Sequence, residues 1–304
     1  MPEATVAEDV YTAIEEASQL AGAPCSRETV WPILTAYGDT LAEAGIVFSV
    51  SSGEGRPKEL DFTITVPSEV ADPYAVALAN GFVEETDHPV GSLLSDIGAR
   101  VPVREHLIDC EVSSGFSKIY AHFPHDLQAV AKLAAVPAMP AAVAENADLF
   151  ARHHLNDVAM IGIDYRRKTV NLYFAQLPGE CTQVENILSL HRELGLPEPG
   201  ERMLAFARKS FRVYVTLGWD SAEIERICFA PPPVRNWAPS ILPADVGQDV
   251  EKFVANSPRS YAGEPIVISA VKWDAGGSYL NIGPYYQLSP MMRKLWLEVY
   301  GERV

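Results

Sequence analysis

"TVNLYFAQL", residues 169 to 177, alternates Thr169, Asn171 and Tyr173 with Val170, Leu172 and Phe174. Successive side chains of a β-strand point to opposite faces, so this segment reads as a strand with one polar and one apolar side. In most half-buried strands the polar side meets outside water. Which side faces inward here depends on what the rest of the chain can lay against the apolar one.

Further β-like runs occur in pairs across turn residues. They are 46–50 with 59–66 across "SSGEGRPK", 105–112 with 116–123 across "SSG", and 158–164 with 169–176 across "YRRK". Two more pairs follow, 211–217 with 223–229 across "GWDS" and 265–273 with 278–286 across "DAGG". Successive hairpins begin roughly 50 to 60 residues apart, the interval of an internal structural repeat. Between them the pattern turns helical. Val6, Val10, Ile14, Ala17 and Ala21 recur at helix spacing, and "SRETVWPILTAYGDTLAE" opens with a capping-box-like Ser26 and Glu28. "HPVGSLLSDIGA", "DLQAVAKLAAV", "PAAVAENADLFARHH" with Pro140 in its first turn, "VENILSLHREL" and "GERMLAFARKS" also read as helices. "APPPVRNWAPSILPADV" is a proline-rich loop that leaves one helix at "DVEKFVANS", and "SPMMRKLWLEVY" closes the chain.

The order is therefore helix, helix, strand, strand, about five times over, an α+β arrangement expected to form a single domain over residues 1–304. Ten antiparallel strands can close into a barrel wider than the roughly eight-stranded kind that side chains just fill. Closure removes exposed edges and leaves room for a ligand. The helices then lie outside, and their apolar stripes need the outer face of the sheet. Val170, Leu172 and Phe174 are expected to point outward, with Thr169, Asn171 and Tyr173 lining the lumen. The same parity in "LDFTITV" sends Leu60, Phe62, Ile64 and Val66 outward and Asp61, Thr63 and Thr65 inward. In "FRVYVTL" it turns Arg212, Tyr214 and Thr216 inward, and by weaker alternation Ser49, Lys118, Tyr120, Arg226, Asn281 and Tyr285 join them.

Composition narrows what such a lumen can hold. The 40 acidic residues against 24 basic ones give a net charge of −16, which repels nucleic acid, and no basic stripe offsets it. An anionic small ligand then needs cations gathered locally. The inward set supplies Lys118, Arg212 and Arg226, beside Tyr120, Tyr173, Tyr214, Tyr285 and one carboxylate, Asp61. No apolar run approaches the roughly 18 residues of a membrane helix, and the start "MPEATVAEDVYTAIEE" is acidic, unlike a signal peptide. Cys25, Cys110, Cys181 and Cys228 are scattered without a CxxC pair, as expected of free thiols in a reducing compartment. A cytoplasmic monomer without membrane or nucleic-acid partners is the expectation.

The blocks "ELDFTITV", "DPYAVAL", "HPVGSLL", "GFSKIYAHFP", "PAMPAAVAENADLFARH", "DYRRKTVNLYF", "KSFRVYVTLGW" and "IERICFA" resemble matching stretches of the soluble bacterial aromatic prenyltransferases of the ABBA, or PT-barrel, type. The resemblance implies five ααββ units around a ten-stranded barrel. It also implies a transferase of alkyl groups other than methyl, which moves an allylic chain, dimethylallyl or geranyl, from its diphosphate to an electron-rich aromatic ring in secondary metabolism. Naphthols, quinones, phenazines and phenols are the acceptor types implied. By resemblance Ser49, Lys118, Asn171, Tyr214 and Arg226 hold the diphosphate. Tyr120, Tyr173, Tyr214 and Tyr285 are candidates to flank the allylic cation with their rings. No organic cofactor is expected.

Other readings stay open on the sequence alone. Thr63 and Asn281 face the lumen as candidate substrate-binding residues, and Arg167 in "YRRK" either reaches phosphate from the barrel mouth or belongs to a solvated turn. Asp61 is either an ion-pair partner of the cations or the holder of a magnesium ion that bridges to diphosphate. The DDxxD motif of other prenyl synthases is absent, so a metal would be held mainly by substrate. The family often has lysine where Asn281 stands and a small residue where Arg212 stands. Arg212 therefore either replaces the missing charge or anchors an acidic or hydroxylated acceptor. His153 and His154 end a helix without a second ligand cluster and are not expected to bind metal. The rival from another class is a non-catalytic barrel that binds an isoprenoid or aromatic molecule without reacting it.

Overall fold

The computed structural model describes residues 3–53, 58–70, 72–235 and 237–301. Part of the "SSGEGRPK" turn and Asn236 of the proline-rich loop lie outside the described residues. Helices α1 (Glu3–Ala21) and α2 (Arg27–Ala36) precede β1 (Ile46–Ser52) and β2 (Asp61–Pro67), and α3 (Pro73–Ala79) and α4 (Val90–Gly98) precede β3 (Glu105–Glu111) and β4 (Gly115–His122). A two-residue strand β5 (Gln128–Ala129) and short helices α5 (Val130–Ala134), α6 (Ala141–Glu145) and α7 (Ala147–Arg152) lead to β6 (Asp157–Asp164) and β7 (Thr169–Phe174). Then come α8 (Val184–Glu193), α9 (Glu201–Ala207), β8 (Arg212–Gly218) and β9 (Ile224–Ala230), followed by α10 (Gln248–Asn256), β10 (Val267–Asp274), β11 (Gly277–Gln287) and α11 (Pro290–Tyr300).

The strands form one antiparallel sheet in the order β4-β3-β2-β1-β11-β10-β9-β8-β7-β6-β5, and an additional β4–β6 pairing closes ten of them into a barrel. Ile119 opposite Ile163 and Tyr120 opposite Gly162 belong to the closing ladder. Every hairpin turn falls at one rim, next to Asp61, Glu111, Asp164, Gly218 and Asp274. The helical connections leave from and return to the other rim.

Burial settles which face is which. Leu60, Phe62, Ile64, Val66, Val170, Leu172 and Phe174 are all fully buried, and they share one core cluster with Ile14, Ile33, Leu93, Phe150, Ile187 and Phe253 from the helices. Phe150 of α7 lies over Phe174, ring centroids 5.3 Å apart. A separate cluster inside the barrel holds Met160, Tyr173, Tyr214, Cys228, Ala230 and Ala270, with Leu107 and Tyr120 against it. The polar side of "TVNLYF" therefore faces inward, because ten strands wrapped in helices leave the apolar residues only one dry surface, the outer one.

Several helical expectations are corrected. Ser26 occupies the N-cap position of α2, but its side chain makes no capping bond, and the helix stops at Ala36 before a 3-10 turn at Gly38–Thr40. "DLQAVAKLAAV" begins as β5 and only then turns helical, since Gln128 pairs with Val158 at the edge of β6. "PAAVAENADLFARHH" breaks into two helices at Asn146, and Pro140 is the N-cap residue with extended ψ rather than part of the first turn. The proline-rich loop contains a 3-10 turn at Pro239–Ile241 and a single bridge from Val234 to Val267. Asp72 caps α3 as short polar residues do, accepting from the backbone N–H of Tyr74 at 2.9 Å and Ala75 at 3.2 Å.

If the outer face carries the core, Leu172→Ala is expected to cost about 2–5 kcal/mol, the usual range for truncating a buried leucine. Urea unfolding checks this, and a loss well under about 1 kcal/mol would place Leu172 off the core.

Candidate active site

Near the hairpin rim, four neighbouring strands bring charge together. Asp109 on β3 stands opposite Lys118 on β4, which in turn stands opposite Asp164 on β6. The Lys118 ammonium lies 3.5 Å from Asp109 Oδ2 and 3.7 Å from Asp164 Oδ2. Asp109 also accepts from Thr63 Oγ1 at 2.9 Å and from the Tyr120 hydroxyl at 3.1 Å. Burial alone would lower the Lys118 pKa, but Asp109 and then Asp164 outweigh it and hold the ammonium above its ordinary value.

A second network runs along β7, β8 and β9. Thr216 donates to Asn171 Oδ1 at 2.7 Å, Arg226 Nη2 donates to Thr216 Oγ1 at 3.0 Å, and Arg226 Nη1 donates to the Tyr279 hydroxyl at 3.2 Å. Asn171 Nδ2 lies 3.5 Å from the Tyr173 hydroxyl. The Arg226 side chain thus links β8 to β11 through hydroxyl partners, and its buried Nε has no acceptor among the described residues.

Lys272 joins this group. It stands opposite Cys228 on β9 and Tyr279 on β11, with its ammonium 5.7 Å from the centre of the Tyr279 ring. Enclosure pushes its pKa down to about 8, with Arg226 adding to the effect. Asp61, opposite Ser49 on β1 and Glu111 on β3, is pushed up to about 7 by burial and then by Asp109, against the pull of Lys118 and Lys272. Asp61 and Lys272 both lie on the inward side of their strands and are half-buried.

Below the charged layer sits a layer of phenols. Tyr173 and Tyr214 stack with centroids 4.4 Å apart, and Tyr120 meets Tyr173 edge-on at 5.9 Å. Gly162 makes room for them, since a Cβ there would come within 2.8 Å of Tyr120 Cε1. Burial raises the pKa of all three phenols, so they remain neutral hydrogen-bond donors.

The parity read from the sequence places Ser49, Thr63, Lys118, Tyr120, Asn171, Tyr173, Tyr214, Arg226, Asn281 and Tyr285 on the inward side, as the strand register requires. Two placements differ. Arg212 is not part of the Lys118–Arg226 group: it faces Ala230 at the other end of β9, near Tyr173 and Tyr285. Arg167 has an exposed side chain in the turn at the charged rim, where its backbone N–H donates to Asp164 Oδ1 at 2.8 Å. The lumen also holds more than one carboxylate, because Asp109 and Asp164 stand beside Asp61. Lys272, Tyr279, Asp109 and Asp164 are the residues sequence reasoning missed. Carrying the inward parity of Asn281 across its hairpin would have reached Lys272 and Tyr279.

Outside the barrel, His153 is fixed by Asn186 and Glu193, each at 2.9 Å, and no cluster of three metal-ligating side chains occurs among the described residues. Surface clefts of about 260 Å³ beside Trp237 and Glu251 and about 280 Å³ beside Asp9 and Tyr286 contain no lysine or arginine. No helix among the described residues is long and apolar enough to cross a membrane.

A closed barrel with Lys118, Arg226 and Lys272 at one end and phenol rings beneath them can take an anionic headgroup on an apolar chain. A family model described as aromatic prenyltransferase Orf2 matches residues 5–293, and the chain belongs to that family. It is similar to the furaquinocin biosynthesis prenyltransferase of Streptomyces sp. (strain KO-3988), 42% identical over 93% of this chain and 91% of the relative. It is 40% identical to the 5,10-dihydrophenazine-1-carboxylate 9-dimethylallyltransferase of Streptomyces anulatus, over 97% of this chain and 98% of that one. The flaviolin linalyltransferase of Streptomyces virginiae is 40% identical, over 91% of each chain.

The raised Asp61 pKa has a measurable sign. Its folded form holds a proton more tightly than the unfolded form, so Asp61 supports the fold fully below about pH 4 and loses that contribution as pH rises toward 7. Relative to Asp61→Asn, the wild type is expected to lose stability between pH 4 and 7, by at most about 1.4 kcal/mol per pH unit. Parallel stability-versus-pH curves for the two proteins would contradict the assignment.

Proposed function

We propose that the chain transfers an allylic group, dimethylallyl or geranyl, from its diphosphate to an electron-rich aromatic carbon, with the diphosphate held at the Lys118–Arg226–Lys272 end of the lumen. The observation that carries this reading is the convergence of those three cations on one enclosed space above a layer of tyrosine rings. In the first step the allylic C–O bond breaks and its electron pair leaves with the diphosphate. Fixed positive charge and hydroxyl donors lower the energy of that departure most where water is excluded. Lys118, Arg226 and Lys272 take this role, with Ser49, Thr63, Asn171 and Asn281 as further polar contacts of the wall. The faces of Tyr120, Tyr173 and Tyr214 stabilise the allylic cation and keep water from quenching it. The acceptor ring carbon then bonds to the cation, and its proton passes to diphosphate or water.

Lys272 explains how the lumen manages without a lysine at position 281. Asn281 stands opposite Ala270, one inward step along β10 from Lys272, so the charge has moved to the facing strand of the same hairpin. A barrel that only bound a neutral isoprenoid would have no use for Arg226 and Lys272, enclosed cations that no carboxylate is shown to pair among the described residues, since burying such charge is unfavourable until an anion joins it.

Asp61 fits magnesium only alongside substrate, because it brings one carboxylate while Asp109 is already taken up by Thr63, Tyr120 and Lys118. Asp61 would hold such an ion, which would supply positive charge to the leaving group. The lumen is built entirely by one chain, and we propose a monomer that works in the cytoplasm with its prenyl diphosphate and aromatic acceptor.

Lys118→Ala or Arg226→Ala is expected to slow turnover by about 2–4 kcal/mol of barrel-held transition-state stabilisation, or roughly 30- to 1000-fold. Product mass spectrometry with dimethylallyl and geranyl diphosphate against naphthols, quinones, phenazines and phenols checks this. Folded variants that turn over at the wild-type rate would refute the assignment. Because Lys272 supplies fixed charge, turnover is expected to continue in excess chelator, to rise on adding magnesium, and to lose that rise in Asp61→Asn. Complete loss of turnover in chelator would show that the fixed cations do not suffice.

A further inference from the structure

Arg212 stands apart from the other lumen cations. It faces Ala230 on β9, whereas Arg226 faces Thr216 on β8. Three residues of each strand lie between the two positions, a spacing of roughly 13 Å along the barrel wall. The stacked pair Tyr173 and Tyr214 fills the interval, so the two guanidinium groups serve opposite ends of the lumen.

Each of the other cations has at least one polar or aromatic partner, although the buried Nε of Arg226 is also without an acceptor among the described residues. Lys118 has two carboxylates, Arg226 has two hydroxyls, and Lys272 has the face of Tyr279. Among the described residues no side chain or carbonyl accepts a hydrogen bond from Arg212, and its buried Nε has no partner. Its neighbour Phe211 places a ring 5.1 Å from the guanidinium carbon, and burial lowers its pKa, with the phenols of Tyr173 and Tyr285 nearby. Enclosing a guanidinium without an anion is costly, and its planar fork matches a carboxylate or a paired oxygen group better than a point charge would.

The surroundings are aromatic and apolar. Tyr285 packs with Trp296 of α11, and Val47, Ile268 and Met292 lie against them, so this end of the barrel is walled by aromatic and apolar surface. Arg212 thus lies between the phenol layer, at Tyr173, and this aromatic wall, at Tyr285.

We propose that Arg212 is the specificity-determining anchor of the acceptor site, and that the preferred acceptor is an aromatic ring carrying an anionic oxygen substituent, a carboxylate or an ionised acidic phenol. This rests on the prenyl-transfer reading, with the diphosphate at the opposite end of the same lumen. It also decides between two roles for Arg212, since a cation beyond the tyrosine layer from Lys118 and Arg226 does not share their phosphate.

The test uses matched acceptors, 2-naphthol and 3-hydroxy-2-naphthoic acid, with the full chain and two variants, Arg212→Met and Arg212→Lys. Equilibrium binding is followed by ligand fluorescence, and turnover is followed with dimethylallyl diphosphate. Wild type is expected to prefer the acid at least tenfold in both Kd and kcat/KM. Arg212→Met is expected to lose that preference with the naphthol and the diphosphate KM unchanged, while Arg212→Lys restores part of it. Unfolding of Arg212→Met at or above the wild-type denaturant midpoint confirms an intact fold. Equal preference in wild type, an equal loss for both acceptors, or a raised KM for the diphosphate overturns the anchor and leaves prenyl transfer standing. Arg212-dependent binding of the acid without any prenylated product supports the anchor and overturns the transfer reading instead.

Discussion

The packing of the helices against the outside of the barrel decides what the inside can be. Ile14, Ile33, Leu93, Phe150, Ile187 and Phe253 need an apolar partner, and the strands answer with Phe62, Ile64, Val170, Leu172 and Phe174. Alternation along each strand then commits the other face to the lumen. The pairing of β4 with β6 makes this commitment complete, because a closed sheet has no edge through which the inward side chains reach bulk water. The up-and-down order of the strands adds a direction. Hairpin turns gather at one rim and helical connections at the other, so residues at the two ends of a strand meet different chemistry.

That polarity appears in the charges. At the hairpin rim, lysines and carboxylates lie within a few ångströms of one another, and enclosure moves Asp61 and Lys272 toward their neutral forms. Such an arrangement is poorly optimised for stability alone, since charge removed from water is recovered only in part by partners. It is well suited to an anion that arrives with its own negative charge and increases it during reaction. The net charge of −16 over the whole chain makes the contrast sharper, because cations are concentrated where the protein otherwise has few to spare.

Much of this was legible in the amino-acid sequence, and the exceptions have physical reasons. β2 and β7 alternate cleanly, so Asp61, Thr63, Asn171 and Tyr173 could be turned inward on parity alone. β10 does not: Ser269 on its outer face and Ile268 and Ala270 on its inner face blur the alternation, and Lys272 was passed over. β3 mixes Leu107 among inward acids and His106 among outward apolar residues, which hid Asp109, while β6 is apolar on both faces and hid Asp164. Arg212 was turned the right way but grouped with the wrong partners, because parity gives the face of a strand and not the height along it. The helices were legible in periodicity, while their ends at Ala36, just before Gly38, and at Asn146, whose amide donates to Ala222 O, fall inside runs whose periodicity continues.

The claim on which the account depends is that the lumen is a two-ended site with the diphosphate at the hairpin rim. A crystal structure with an unreactive thiolodiphosphate analogue of dimethylallyl diphosphate tests it most directly. The account requires the diphosphate among Lys118, Arg226 and Lys272, with the allyl chain over Tyr173 and Tyr214 and pointing toward Arg212. Density for the diphosphate against Arg212, or on the outer surface of the barrel, would contradict it.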